Sequence, residues 1–171
     1  MLRFPNYTQY DSMDCGPSCL RMIALYYGKD ISLVYLRELC CFTNRGVSIL
    51  GIDRATKLIG FDTICAKIKF DQIDTSVPLP CILHWNNEHY VVLYKVKKIL
   101  GRKYYFVSDP IGSRFKYSEK EFVNCWLNKD GLGVVICMKP NPKFFESNSG
   151  DQSRGIRWFF QYTKPYYGAI F

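Results

Sequence analysis

Cys15 stands in the run Asp14-Cys15-Gly16-Pro17-Ser18-Cys19-Leu20, six residues after Gln9. Past the Gly-Pro break, Leu20, Ile23, Ala24 and Tyr27 recur at helical spacing, which mounts Cys15 at a helix start. The backbone N–H groups of a first helical turn have no partners within the helix, and the macrodipole adds partial positive charge there. Both favour a thiolate, the nucleophilic form of cysteine. Gln9 offers a side-chain amide suited to a developing oxyanion. The competing reading makes Cys15 a small buried hydrophobe. Cys19, one helical turn further on, reads as an inward-facing core residue.

A thiol nucleophile needs a base and a group that orients the base. The chain has two histidines, His84 and His89. His89 opens the apolar run His89–Val96, where an imidazole can project from a strand end. His84 lies within the preceding run Cys81–Trp85, beside Trp85. Placement favours His89. Asp109 ends the next strand, Lys103–Asp109, and is followed by Pro110. Antiparallel pairing brings the start of one hairpin strand to the end of the next, so His89 and Asp109 should meet.

The elements that position these groups divide the chain. Helical periodicity covers residues 16–27 with Gly28 as a stop, then a stretch capped by Ser32, then one capped by Ser48 and closed by Gly60. Strand patterns follow at Asp62–Ile68, Cys81–Trp85, His89–Val96, Lys103–Asp109 and Gly133–Met138. Ser118-Glu119-Lys120-Glu121 is a capping-box signature for one more helix. Helices first and an antiparallel sheet afterwards make an α+β layout. The folded domain is expected over residues 1–142, a polar linker over 143–155, and an aromatic-basic segment over 156–171. That last segment has the composition of a membrane–water interface. It is shorter than the about 20 apolar residues that span a bilayer, and it points towards a transmembrane domain.

Composition narrows the chemistry. The 171 residues suit one core-bearing domain, with 48% hydrophobic and 16% aromatic residues. Eight cysteines without a Cys-x-x-Cys pair or a zinc-finger histidine pair argue against zinc. With no signal peptide at the start, they read as reduced thiols in a cytosolic setting. No metal or cofactor is expected. Gly46 and Gly51 have the spacing that begins a phosphate loop, but Ile52-Asp53 replace the required Lys-Ser/Thr. The net charge of +8 is dispersed, and no nucleic-acid-binding module accompanies it. An acidic peptide partner is equally compatible with that charge.

Taken together, Gln9, Asp14-Cys15-Gly16-Pro17-Ser18-Cys19, His89-Tyr90-Val91-Val92 and Asp109-Pro110 resemble the peptidase domain of bacteriocin-processing, peptidase-containing ABC transporters, over about residues 7–139. The resemblance implies a papain-like cysteine peptidase fold, with the N-terminal helices packed on the antiparallel sheet. It makes Cys15 the nucleophile, His89 the base, Asp109 its orienter and Gln9 the oxyanion-hole donor. It also implies a precursor peptide with a double-glycine leader as substrate, and the transmembrane and ATPase parts of an exporter as partners. The location would be the cytoplasmic side of the bacterial cell membrane, with ATP needed only by a separate ATPase domain. Two other readings keep the fold: a catalytically silent leader-binding module, and another papain-like thiol acyltransferase.

Overall fold

The computed structural model describes residues 4–9, 11–40 and 46–146. Three helices come first: α1 (Cys15–Tyr26), α2 (Leu33–Leu39) and α3 (Ile49–Leu58). The Ser32 and Ser48 hydroxyls cap α2 and α3, accepting from the backbone N–H of Tyr35 and Gly51. Six strands follow: β1 (Phe61–Lys69), β2 (Cys81–Trp85), β3 (His89–Ile99), β4 (Arg102–Asp109), β5 (Ser113–Ser118) and β6 (Leu132–Pro140). α4 (Glu119–Trp126) sits between β5 and β6, and α5 (Pro142–Glu146) follows β6. At the start of α4, the Ser118 N–H and hydroxyl both donate to the Glu121 carboxylate, at 2.8 and 2.6 Å.

The strands form one sheet in the order β1-β6-β2-β3-β4-β5, and every neighbouring pair is antiparallel. Its central strands are apolar where both faces are covered, over Cys81–Leu83, Tyr90–Leu93 and Val135–Ile136. Ile82, Val92 and Ile136 pack on one side with Leu20, Ile23, Leu36 and Ile52 of the three helices. Leu83, Val91, Tyr105 and Val135 pack on the other with Phe122 and Trp126 of α4. The rings of Tyr105 and Phe122 stack at 4.2 Å there. The α1–α3 contact is tight at Gly16, where a Cβ would come within 2.9 Å of Ile52 Cδ1. A side chain after the cysteine would have to displace the end of Ile52.

Three features depart from the sequence expectation. β5 was not expected, since Ser113-Arg114-Phe115-Lys116-Tyr117-Ser118 has no apolar run; it is an edge strand, and edges tolerate charge. β3 runs three residues beyond Val96, with an irregular register between Leu93 and Lys95. α5 occupies the start of the expected linker. Its Phe144 is buried against Phe61, with ring centroids 4.6 Å apart, so residues 143–146 belong to the folded part. The remainder of the linker and the aromatic-basic segment lie outside the described residues.

Candidate active site

Cys15 is the first residue of α1, and a 3-10 turn (Ser12–Asp14) leads into it. The Asp11 carboxylate fixes that turn by accepting from Met13 N–H at 3.0 Å. Cys15 is 6% exposed and opens the buried first half of its helix.

His89 is placed by a tight β2–β3 turn. Asn86 and Asn87 both adopt left-handed backbone, with φ of 50° and 61°, the geometry of a primed hairpin turn that asparagine tolerates. His89 Nε2–H donates to Asp109 Oδ1 at 2.8 Å. That leaves Nδ1 for Cys15, with which the imidazole also hydrogen-bonds. Asp109 is held in turn by Ile111 N–H, which donates to the same Oδ1 at 2.9 Å. The turn closes as Gly112 N–H donates to the Asp109 carbonyl at 3.0 Å, with Gly112 at φ +125°. Gln9 is tied to this turn by its main chain: its N–H donates to the Pro110 carbonyl at 2.7 Å, and its amide oxygen is buried. Upstream, Ser108 Oγ–H donates to Asn6 Oδ1 at 2.7 Å and Arg114 Nη1–H to the Phe4 carbonyl at 2.8 Å. The N-terminal segment is thereby laced to β4 and β5.

Burial opposes the charged form of His89, but hydrogen bonds to Asp109 and Cys15, with their charges, outweigh it and raise its pKa to about 9. The imidazole is therefore protonated at neutral pH. An imidazolium beside a thiol favours the thiolate, which is how cysteine nucleophiles are activated. His84 differs. Burial and the charge of His89 lower its pKa, and its ring packs 5.1 Å from that of Tyr90. Cys19 is fully buried and its thiol donates to the Tyr90 carbonyl at 3.3 Å. Burial, then the charges of Cys15 and Asp109, push its pKa well up. It is a core thiol.

Of the expected site residues, Cys15, His89 and Asp109 come together from α1, β3 and the end of β4, and Gln9 joins through the Asp109 turn. One partner has no signal in the sequence. Asp14 is fully buried beside Cys15, and Arg37 of α2 grips its carboxylate in a two-point pair. Arg37 Nε–H donates to Oδ1 at 2.6 Å, and Nη2–H donates to Oδ2. A buried carboxylate requires such a partner, but spacing alone did not select Arg37 among many cations. Among the described residues no group of three or more His, Cys, Asp or Glu is placed to hold a metal ion. All seven described cysteines are free.

The chain is similar to known proteins. The chain is 32% identical over 142 residues to the colicin V secretion/processing ATP-binding protein CvaB of Escherichia coli, covering 83% of this chain and 19% of that protein. It is 33% identical over 141 residues to the lactococcin-G-processing and transport ATP-binding protein LagD of Lactococcus lactis subsp. lactis, covering 80% of this chain and 19% of that protein. The chain thus spans about a fifth of the length of these relatives. Its fold matches the crystal structure of a double glycine motif protease from an AMS/PCAT transporter in complex with the leader peptide. That match has a TM-score of 0.71 and 26% identity, covering 81% of this chain and 93% of that one. The peptidase domain of Streptococcus ComA, a bi-functional ABC transporter, matches with a TM-score of 0.70 and 28% identity, covering 81% and 100%. Residues 3–143 fit the model of the Peptidase C39 family. The chain belongs to the peptidase C39 family and is a cysteine peptidase domain.

Proposed function

We propose that this domain cleaves leader peptides after a double glycine, with Cys15 as nucleophile, His89 as acid and base, Asp109 as orienter and Gln9 as oxyanion donor. One observation carries the assignment: a single imidazole hydrogen-bonds both Asp109 and Cys15. The thiolate attacks the carbonyl of the second leader glycine. The oxyanion is held by the Gln9 amide and a backbone N–H at the start of α1. His89 then gives its proton to the leaving amine, and the leader stays on Cys15 as a thioester. Neutral His89 next takes a proton from water, whose oxygen attacks the thioester and releases leader and thiolate. The step needs no cofactor.

The substrate class follows from the relatives, whose names pair processing with transport, and from the double glycine motif protease of matching fold. A cleft too narrow for a Cβ would select glycine at the two positions that precede the scissile bond. The partners in this reading are a double-glycine precursor and the transmembrane and ATPase parts of an exporter, with the domain on the cytoplasmic side of the membrane. No helix among the described residues is long and apolar enough to cross a membrane. Incubation with a double-glycine precursor tests the reading. The intact chain should cut after the second glycine, Cys15→Ala should not, and valine in place of that glycine should block cleavage. Leader binding without cleavage by either form would favour the silent binding module.

A further inference from the structure

The end of the sheet remote from Cys15 has a different character. The β3–β4 hairpin turns at Leu100-Gly101, and Leu100 is 99% exposed. Lys97, Lys98 and Arg102 are exposed around it. Beneath the tip lies an open cleft of ≈ 400 Å³ lined by Lys98, Arg102, Lys103, Ser118, Glu119 and Lys120. Lys103 is paired with Asp74, and Glu119 is the one acid in the lining. Among the described residues, Lys97, Lys98, Arg102 and Lys120 are in no ion pair. The tip is thus an apolar point ringed by uncompensated cations, the composition of a surface that meets anionic headgroups.

Topology adds an independent observation. β2 is antiparallel to both β3 and β6, so β6 runs parallel to β3, with Ile136 and Val92 both level with Ile82. β6 therefore ends at Pro140 on the same side of the sheet as the hairpin tip. From that side the chain continues through α5 towards the aromatic-basic residues 156–171.

We propose that this end of the domain docks on an anionic bilayer, with Leu100 entering the headgroup layer and the cleft cations holding the phosphates of acidic phospholipids. The 11 residues of β3, at about 3.3 Å each, would hold His89 roughly 30 Å from the lipid surface. An exposed leucine at the point of contact favours a bilayer over an acidic peptide, which would need the charges alone. The inference is independent of the peptidase chemistry.

Co-sedimentation of the full 171-residue chain with vesicles tests it. Vesicles of phosphatidylcholine alone are compared with vesicles that also contain phosphatidylglycerol. The intact chain should bind the anionic vesicles preferentially and release them in high salt, as screening weakens the contact. The triple change Lys97→Gln, Lys98→Gln, Arg102→Gln should weaken binding at least about tenfold. Leu100→Asn, which keeps a left-handed backbone comfortable, should weaken it by a smaller factor. All four side chains are exposed, and unchanged thermal melts would certify the fold. The proposal is overturned if the triple variant binds anionic vesicles as tightly as the intact chain, which would assign binding to residues 156–171. Equal binding to both vesicle types also overturns it. So does a triple variant that loses affinity for a polyglutamate peptide but not for vesicles.

Discussion

The β3–β4 hairpin carries charged groups at both ends, and the two ends treat them in opposite ways. At the Cys15 end, His89 and Asp109 are mostly buried and bonded to each other, and Asp14 is fully buried against Arg37. At the far end, Lys97, Lys98 and Arg102 stand in solvent around an exposed leucine. Buried charges demand exact partners and punish their loss, whereas exposed ones contribute little to stability. The first end is built for chemistry in one fixed geometry; the second is built for contact.

The largest expected contrast is in turnover. Cys15→Ala should lower cleavage of a double-glycine precursor by at least about 10⁴-fold, since removal of a nucleophile leaves only binding and oxyanion stabilisation. The triple change at the far end should leave that rate, followed by chromatography, essentially unaltered. Asp109→Ala should cost about 10²–10³-fold, because His89 loses its orientation.

The pH profile sharpens the same comparison. The folded-state pKa of His89 is raised from 6.5 to about 9, so the protonated, paired form is present below 9 and lost above it. Cleavage should therefore fall as pH rises through about 9. His89 also stabilises the fold fully below about 6.5, and that contribution disappears as pH climbs through 9. Asp109→Asn removes a charge that holds the proton while burial still opposes it, so the fall should move to lower pH.

Stability separates the two ends further. Arg37→Met leaves the Asp14 carboxylate buried without its cation and should cost about 2–3 kcal/mol in urea denaturation, somewhat less than a fully buried pair because Arg37 is partly exposed. Asp14→Asn in the same chain should recover part of that loss. Arg102→Met at the hairpin tip should change stability by less than about 0.5 kcal/mol.

The difference between the ends also explains what was legible in the sequence. β2 is legible residue for residue, and α4 follows from its capping box, because local chemistry fixes them: an apolar run after Pro80, and Ser118 with Glu121. His89 and Asp109 were paired from hairpin logic alone. β5 escaped because an edge strand carries Arg114 and Lys116 among its aromatics, with no apolar signature. α5 is opaque because five residues that open on a proline carry no helical periodicity, while Phe144 is drawn into the core by Phe61 and Tyr27, distant in sequence. The Asp14–Arg37 pair joins residues 23 apart, and only three-dimensional packing selects such a partner. The site was legible where it depends on one hairpin and one helix start, and opaque where it depends on how the helices pack.

Single-turnover cleavage with acid quench and peptide mapping shows whether the peptide is transferred to Cys15. A transient species should form in which the leader is joined through its second glycine carbonyl to Cys15, absent from the Cys15→Ala chain. Cleavage by Cys15→Ala, or a leader adduct found on Cys19 or any other thiol, would contradict it.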